Sequence, residues 1–226
     1  MASQKLSVFS ISLKPGISWN TVIQNLLSNA SENEHYIISE QSSDYIGGCY
    51  VMQAKHNQLR YNINDQCFES VLIEKQHVLR YDIFTHNSSM MVWGNHKLSS
   101  LFITSLTLAS DNLAIIENRD IDFKKMLLKL LSCNDVKFIR MKLHGVLIED
   151  GIVANCCVTL EGRDNISQLI KKYLDQIVTV TLQIISGESN TSVMLYSSGA
   201  MVIFKDRENI PDQVIDRISS IVGRES

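Results

Sequence analysis

A stretch of basic residues is the strongest chemical feature of this 226-residue chain. Residues 119 to 145 contain seven Lys or Arg and three Asp, a local net charge of +4 in a chain whose formal charge is −3. Basic side chains gathered in this way contact phosphates or acidic protein surfaces. The stretch therefore predicts a surface for nucleic acid or for an acidic partner, and a solvated face that only confers solubility is the alternative.

The basic residues of this stretch divide between a predicted helix and a predicted strand. The helix begins after Asp120 or Asp122, and the strand covers residues 136 to 148. Basic residues two positions apart in a strand project from one face, because successive side chains alternate. The candidate binding residues are, on the helix, Lys124, Lys125 and Lys129 and, on the strand, Arg140, Lys142 and His144.

Acidic residues beside two predicted strands form the second candidate site. Glu149 and Asp150 follow one strand, and Glu161 follows the next. Metal-dependent nucleases use carboxylates on neighbouring strands to hold Mg²⁺ beside the scissile phosphate. Such a site needs a Glu-x-Lys element, but Glu161 is followed by Gly162 and Arg163. A divergent metal-dependent nuclease is therefore an alternative function, and solvated turn residues are the simpler interpretation of these acids.

Signatures of the common enzymes and cofactor sites are missing from the sequence. It has no G-x-S-x-G, G-x-x-x-x-G-K-[ST], G-x-G-x-x-G or H-E-x-x-H. The five cysteines include no C-x-x-C pair, which argues against a zinc ribbon and favours free thiols in a reducing compartment. We therefore predict no catalytic residues, no metal and no cofactor. No segment reaches the roughly 18 apolar residues of a membrane span, so we expect a cytoplasmic protein without membrane contact.

Alternating and helical apolar patterns predict an α+β fold. A strand pair followed by a helix recurs at residues 68–109, 136–177 and 178–222. Units of this kind form antiparallel sheets with helices packed mainly on one face, here as ββα internal repeats. The expected division is an N-terminal α+β domain at 1–112 and a C-terminal α+β domain at 113–226 with two hairpin–helix units. One continuous domain is the alternative.

The last hairpin and helix resemble the repeat of the TATA-box-binding protein family. The residues that carry the resemblance are Leu195, Tyr196, Ser198, Gly199, Met201 and Val202, followed by the helix from Ile210. The resemblance implies a similar strand–hairpin–helix domain, and it makes Tyr196 the counterpart of a phenylalanine that the family uses as a DNA wedge. Ile148 is the counterpart in the preceding unit. Ala200 stands where the family has a basic residue, and Lys205 and Asp206 stand where it has glycine.

These features together predict a non-catalytic accessory subunit of a larger intracellular complex. It would bind a protein partner, or form a homo-oligomer, and would bind nucleic acid through the basic strand and Tyr196. Besides the nuclease, the remaining alternative is a self-assembling structural protein that uses strand edges or the apolar helix 98–108. The abundance of Ile, Asn, Ser and Lys indicates an AT-rich genome, which suggests an accessory protein of a bacterium or its mobile elements, for example in antiviral defence.

Overall fold

The computed structural model describes residues 3–119, 121–149, 151–160, 164–187 and 189–222. In these ranges the strands are β1 (Gln4–Leu13), β2 (Glu34–Gln41), β3 (Tyr45–Asn62), β4 (Cys67–Phe84), β5 (Ser89–Trp93), β6 (Ala114–Asn118), β7 (Val136–Glu149), β8 (Ile152–Thr159), β9 (Ile177–Ser186), β10 (Ser189–Tyr196) and β11 (Met201–Ile203). The helices are α1 (Trp19–Asn29), α2 (His96–Ala109), α3 (Phe123–Leu130), α4 (Ile166–Lys172) and α5 (Asp212–Val222).

All eleven strands belong to one antiparallel sheet. Its order is β2-β3-β4-β5-β1-β11-β10-β9-β7-β8, and β6 pairs with the C-terminal part of β1. The antiparallel α+β class that the sequence predicts is therefore confirmed. The boundary expected between residues 112 and 113 falls between α2 and β6, and the sheet continues across it through β1 and β11. No helix in the described ranges has the length and apolar character needed to cross a bilayer.

The helices of the two halves pack against opposite faces of this sheet. We call the face that carries Phe9 and Ile11 the first face. In the N-terminal half, α1 and α2 pack against it. The second face, on the side of Leu6, packs in the C-terminal half against α3, α4 and α5. The expected arrangement of helices mainly on one face therefore describes each half alone, but not the whole sheet. Periodicity reveals that a strand has a buried face, but it does not say on which side of a shared sheet that face lies.

Strand β5 shows the consequence of this two-sided arrangement. Every one of its residues is buried. Met90 and Val92 join the cluster beneath α1 and α2, whereas Met91 and Trp93 join the cluster beneath α3 to α5. A strand covered on both faces loses polar alternation and becomes a continuous apolar run, as residues 90–93 of β5 do.

Two glycines allow tyrosine side chains to approach the backbone of strand β3 closely. A Cβ on Gly47 would come within 2.4 Å of the Tyr45 hydroxyl, and one on Gly48 within 2.3 Å of the Ile37 carbonyl and 2.6 Å of the Tyr81 hydroxyl. The pairing of β2 with β3 is shifted at this point. The sequence predicts a bulge or a close backbone approach at this Gly-Gly pair, and the structure has both there.

Strands β3 and β4 also extend beyond the rest of the sheet. The sequence predicts separate strands at 45–55 and 59–63, but β3 is one strand of 18 residues. Its pairing with β4 continues from Tyr45–Phe84 to Asn62–Cys67, whereas β2 pairs only as far as Met52 and β5 only with residues 80–84. Residues 54–75 therefore form a two-stranded arm, the β3–β4 arm.

Candidate nucleic-acid interface

No helix of the described residues covers the first face of the sheet in the C-terminal half, where its side chains form rows across the strands. In one row Lys142 on β7 lies opposite Thr179 on β9, which in turn lies opposite Tyr196 on β10. Neighbouring strands are about 4.8 Å apart, so Lys142 and Tyr196 project roughly 10 Å apart from the same face. The structure thus brings two of the predicted binding residues together.

A second row lies beside the first and spans more of the sheet. Arg140 lies opposite Thr181, and the row continues across β10 and β11 through Met194 and Val202 to Lys5 on β1. Along β7, Arg140 and Lys142 are two residues apart, which separates them by about 7 Å. Lys5 has no basic neighbour in sequence, and only the pairing of β1 with β11 places it on this face.

A third row adds another cation and completes the surface. Lys137 lies opposite Gln183, which lies opposite Ser192. An irregularity at Ile139 keeps Lys137 and Arg140 on the same face although they are three residues apart. We call this surface the open basic face, and it comprises the side chains of Lys5, Lys137, Arg140, Lys142, Thr179, Thr181, Gln183, Ser192, Met194, Tyr196 and Val202.

Among the described residues that form the open basic face are four cations and no carboxylate. Lys5, Arg140 and Lys142 are exposed, and none of them takes part in the ion pairs formed among the described residues. Hydroxyl and amide groups occupy most of the positions between them. A surface of this composition presents positive charge and hydrogen-bond donors together, which is what a phosphate backbone requires.

His144 continues the exposed side of β7 just past the regular ladder. Its N–H donates to the carbonyl of Gln176 at 2.8 Å, and Gly145 follows with φ +69°. The pairing of β7 with β8 shifts between Leu143 and Val146 at this point. His144 is exposed and lies at the margin of the open basic face.

The three lysines of α3 lie on the opposite side of the molecule. The apolar side of α3, including Phe123 and Leu127, packs on the second face of the sheet, so Lys124, Lys125 and Lys129 are directed outward from the helix. Lys124 Nζ donates to the Asp175 carboxylate, and this hydrogen bond raises the pKa of Lys124. The six basic residues predicted as one surface are therefore divided between two surfaces, because a helix and the open face of its sheet point in opposite directions.

Tyr196 is positioned by the β10–β11 turn. Its N–H donates to the Ala200 carbonyl at 2.9 Å, and Gly199 adopts φ +81°. A Cβ at Gly199 would lie 3.3 Å from the Ile121 side chain, so glycine suits the turn in both respects. Ile148, the expected counterpart of Tyr196, lies at the end of β7 with 59% of its surface exposed.

The structure describes one of the three acidic residues of the nuclease alternative. Glu149 is exposed at the end of β7, whereas Asp150 and Glu161 lie outside the described residues. In the ranges that the structure describes, no three His, Cys, Asp or Glu side chains are close enough together to hold a metal ion.

A buried cluster around Asp82 escaped the sequence analysis. Asp82 is 3% exposed, and its carboxylate accepts hydrogen bonds from Tyr45, the Trp93 indole and two nitrogens of Arg207. Burial alone would lower the pKa of Arg207, but the hydrogen bonds and charge of Asp82 raise it above its ordinary value. The cluster joins the turn before α5 to the N-terminal half of the sheet. The polar groups of the cluster are hydrogen-bonded to one another, so its role is to hold these parts of the fold together.

Comparison with known proteins finds no matching family model and no curated protein with significant similarity. The geometry and charge of the open basic face therefore carry the functional argument.

Proposed function

We propose that this protein is a non-catalytic binding subunit that contacts the phosphate backbone of a nucleic acid with its open basic face. The observation that carries the proposal is the three-row arrangement of Lys5, Lys137, Arg140 and Lys142 on a sheet surface that no helix of the described residues covers. Cations placed this way neutralise phosphates and release counterions, which supplies sequence-independent affinity. We propose that this binding takes place inside a larger assembly, as the sequence predicts.

Tyr196 gives the proposed interface a second mode of contact. Its ring is about one-third exposed and stands in the same row as Lys142. An aromatic ring beside cations can stack on a base whose phosphate is neutralised. The resemblance to the TATA-box-binding family is in keeping with this proposal, because that family also contacts DNA through a sheet. Tyr196 carries a polar hydroxyl and suits stacking better than wedging.

The direct test is oligonucleotide binding by fluorescence anisotropy over a range of salt concentrations, with single-stranded and duplex probes. The test variant is Arg140→Glu with Lys142→Glu. The matched control is Lys171→Glu with Lys172→Glu, which changes the net charge equally on exposed residues of α4. We expect the test variant to lose at least about tenfold in affinity and to flatten the dependence of log K on log[salt] by about one per phosphate contact removed. We expect the control to retain most of the affinity.

Two results would contradict the nucleic-acid proposal. Equal losses in both double variants would mean that net charge, and not the open basic face, governs binding. If the wild-type protein does not bind nucleic acid at low salt, an acidic protein would be the partner of this surface. The same two double variants, used as baits for a purified partner, would then test that assignment.

Cleavage would replace the proposal with the nuclease alternative. Nucleic acid incubated with the protein and Mg²⁺ or Mn²⁺ should remain intact under conditions in which it is bound. Divalent-metal-dependent cleavage that Glu149→Ala abolishes would overturn the non-catalytic assignment.

A further inference from the structure

The β3–β4 arm is a part of the sheet that lacks neighbouring strands among the residues that the structure describes. Residues 54–75 pair only with each other across β3 and β4. None of the arm's strand residues is fully buried. A two-stranded ribbon without a third strand or a packed layer is marginally stable in water.

One face of the arm presents large apolar side chains. Tyr61 lies opposite Phe68, with ring centroids 5.2 Å apart, and Leu59 and Leu72 project from the same face in the next two rows. Their exposed fractions are 50% for Tyr61, 72% for Phe68, 72% for Leu59 and 59% for Leu72. The opposite face at this end of the arm carries polar pairs such as Arg60 with Glu69. The four large apolar side chains are thus exposed to solvent, whereas Val71 and Ile73 on the opposite face of the arm are half-buried.

The charges of the arm suit a second copy better than a nucleic acid. Residues 54–75 contain three Lys or Arg and three Asp or Glu. On the apolar face the charged pair is Lys55 with Glu74, whose side chains meet at 2.9 Å. In a two-fold dimer, the same surface patch of each copy contacts that of the other. A patch of one charge would repel its copy, whereas a neutral patch would not.

The exposed apolar area is also of the size that self-association needs. An aromatic side chain buries about 150–250 Å², so the exposed fractions of the four side chains amount to roughly 500 Å² a copy. Two copies would together bury about 1,000 Å² through these side chains, which is the lower limit of a specific interface.

We propose that the β3–β4 arm is a dimerisation element and that a second copy of this chain covers it. The arms of two molecules pack through the face made by Leu59, Tyr61, Phe68 and Leu72, related by a two-fold axis. This association is separate from the open basic face and does not depend on nucleic acid.

The test compares the self-association of two double variants by analytical ultracentrifugation. The test variant is Leu59→Thr with Leu72→Thr, which removes apolar surface but retains strand propensity. The control is Val71→Thr with Ile73→Thr, the same kind of change on the opposite face of the arm. We expect a micromolar wild-type dimer, a dissociation constant at least about tenfold weaker in the test variant, and a change below about threefold in the control.

Hydrogen exchange of the wild-type protein gives a readout that does not depend on the folding of any variant. Amides of residues 54–75 should gain protection as the protein concentration increases through the dissociation constant. A wild-type monomer at about 500 µM, arm protection independent of concentration, or equal weakening of both variants would each overturn the proposal. Nucleic-acid binding through the open basic face would survive each of these results.

Discussion

The helices of the two halves pack on opposite faces of the sheet, and the faces turned away from each half's own helices differ in kind. In the N-terminal half, this second face holds the Asp82 cluster, where the charges are buried and paired. In the C-terminal half, the uncovered first face holds Lys5, Arg140 and Lys142, which are exposed and outside the ion pairs formed among described residues.

The comparison teaches that charge alone does not mark a binding surface. Arg207 carries the same charge as Arg140, but its guanidinium is held by the carboxylate of Asp82 and lies 5.8 Å from the Trp93 ring centroid. A paired and desolvated arginine holds two structural elements together. An exposed arginine has its hydrogen-bond donors available for a ligand. The predictions below test this difference.

The largest expected effect is the loss of stability in Asp82→Ala. The substitution leaves the buried cation of Arg207 without its carboxylate and removes the acceptor of Tyr45 and Trp93. We expect the free energy of unfolding to decrease by about 3–5 kcal/mol, measured by urea denaturation. In an Arg207→Met background the same substitution should cost less, because no buried charge remains. Equal losses in both backgrounds would show that the ion pair does not account for the effect.

The matched surface change is Asp175→Ala, which breaks the exposed pair with Lys124. We expect no measurable loss of stability, because exposed ion pairs contribute little.

A smaller loss is expected from Gly48→Ala. The new Cβ would be 2.3 Å from the Ile37 carbonyl oxygen, a backbone atom that cannot move without disturbing the pairing of β2 with β3. We expect a decrease of about 1–3 kcal/mol in the free energy of unfolding. Gly94→Ala is the control, because its Cβ would contact only the side-chain ends of Leu79 and Ser99. A Gly48→Ala protein as stable as Gly94→Ala would mean that β2 adjusts without cost.

The N-terminal half should also be more sensitive to alkaline pH. Burial raises the pKa of Tyr36 to about 12, an effect that the hydrogen bond with Ser105 reduces and the charge of Glu34 increases. Burial likewise raises the pKa of Tyr50 and Tyr81 beneath the same helices. Because the folded protein holds these protons more tightly, its stability should decrease as pH increases from about 10 towards 12. Denaturation in Tyr36→Phe should show a shallower pH dependence, and an unchanged profile would contradict the assignment.

The smallest expected effect on binding concerns Tyr196 on the open basic face. Tyr196→Ala should weaken single-stranded oligonucleotide binding by about fivefold, because one stacked base is lost. Tyr196→Phe keeps the ring and should bind like the wild type. If both variants bind as tightly as the wild type, the interface works through charge alone and Tyr196 is not part of it.

Local signals in the sequence determined most of the elements of this fold. Ser18 predicts the start of α1, and its side chain accepts from the Thr21 N–H. Asp122, one of two predicted caps, accepts from the Lys125 N–H at the start of α3. Leu79 and Tyr81 lie on one buried face as their alternation predicts. These features depend on neighbouring residues, which a sequence contains in full.

The tertiary structure alone decided which surfaces these elements form. The spacing of Arg140 and Lys142 predicts a shared face, but only the pairing of β1 with β11 adds Lys5 to it. Only the docking of α3 on the second face separates Lys124 from that surface. The partner of Asp82 is 125 residues away. Contacts between distant residues depend on how whole elements pack, and periodicity within one element carries no information about that packing.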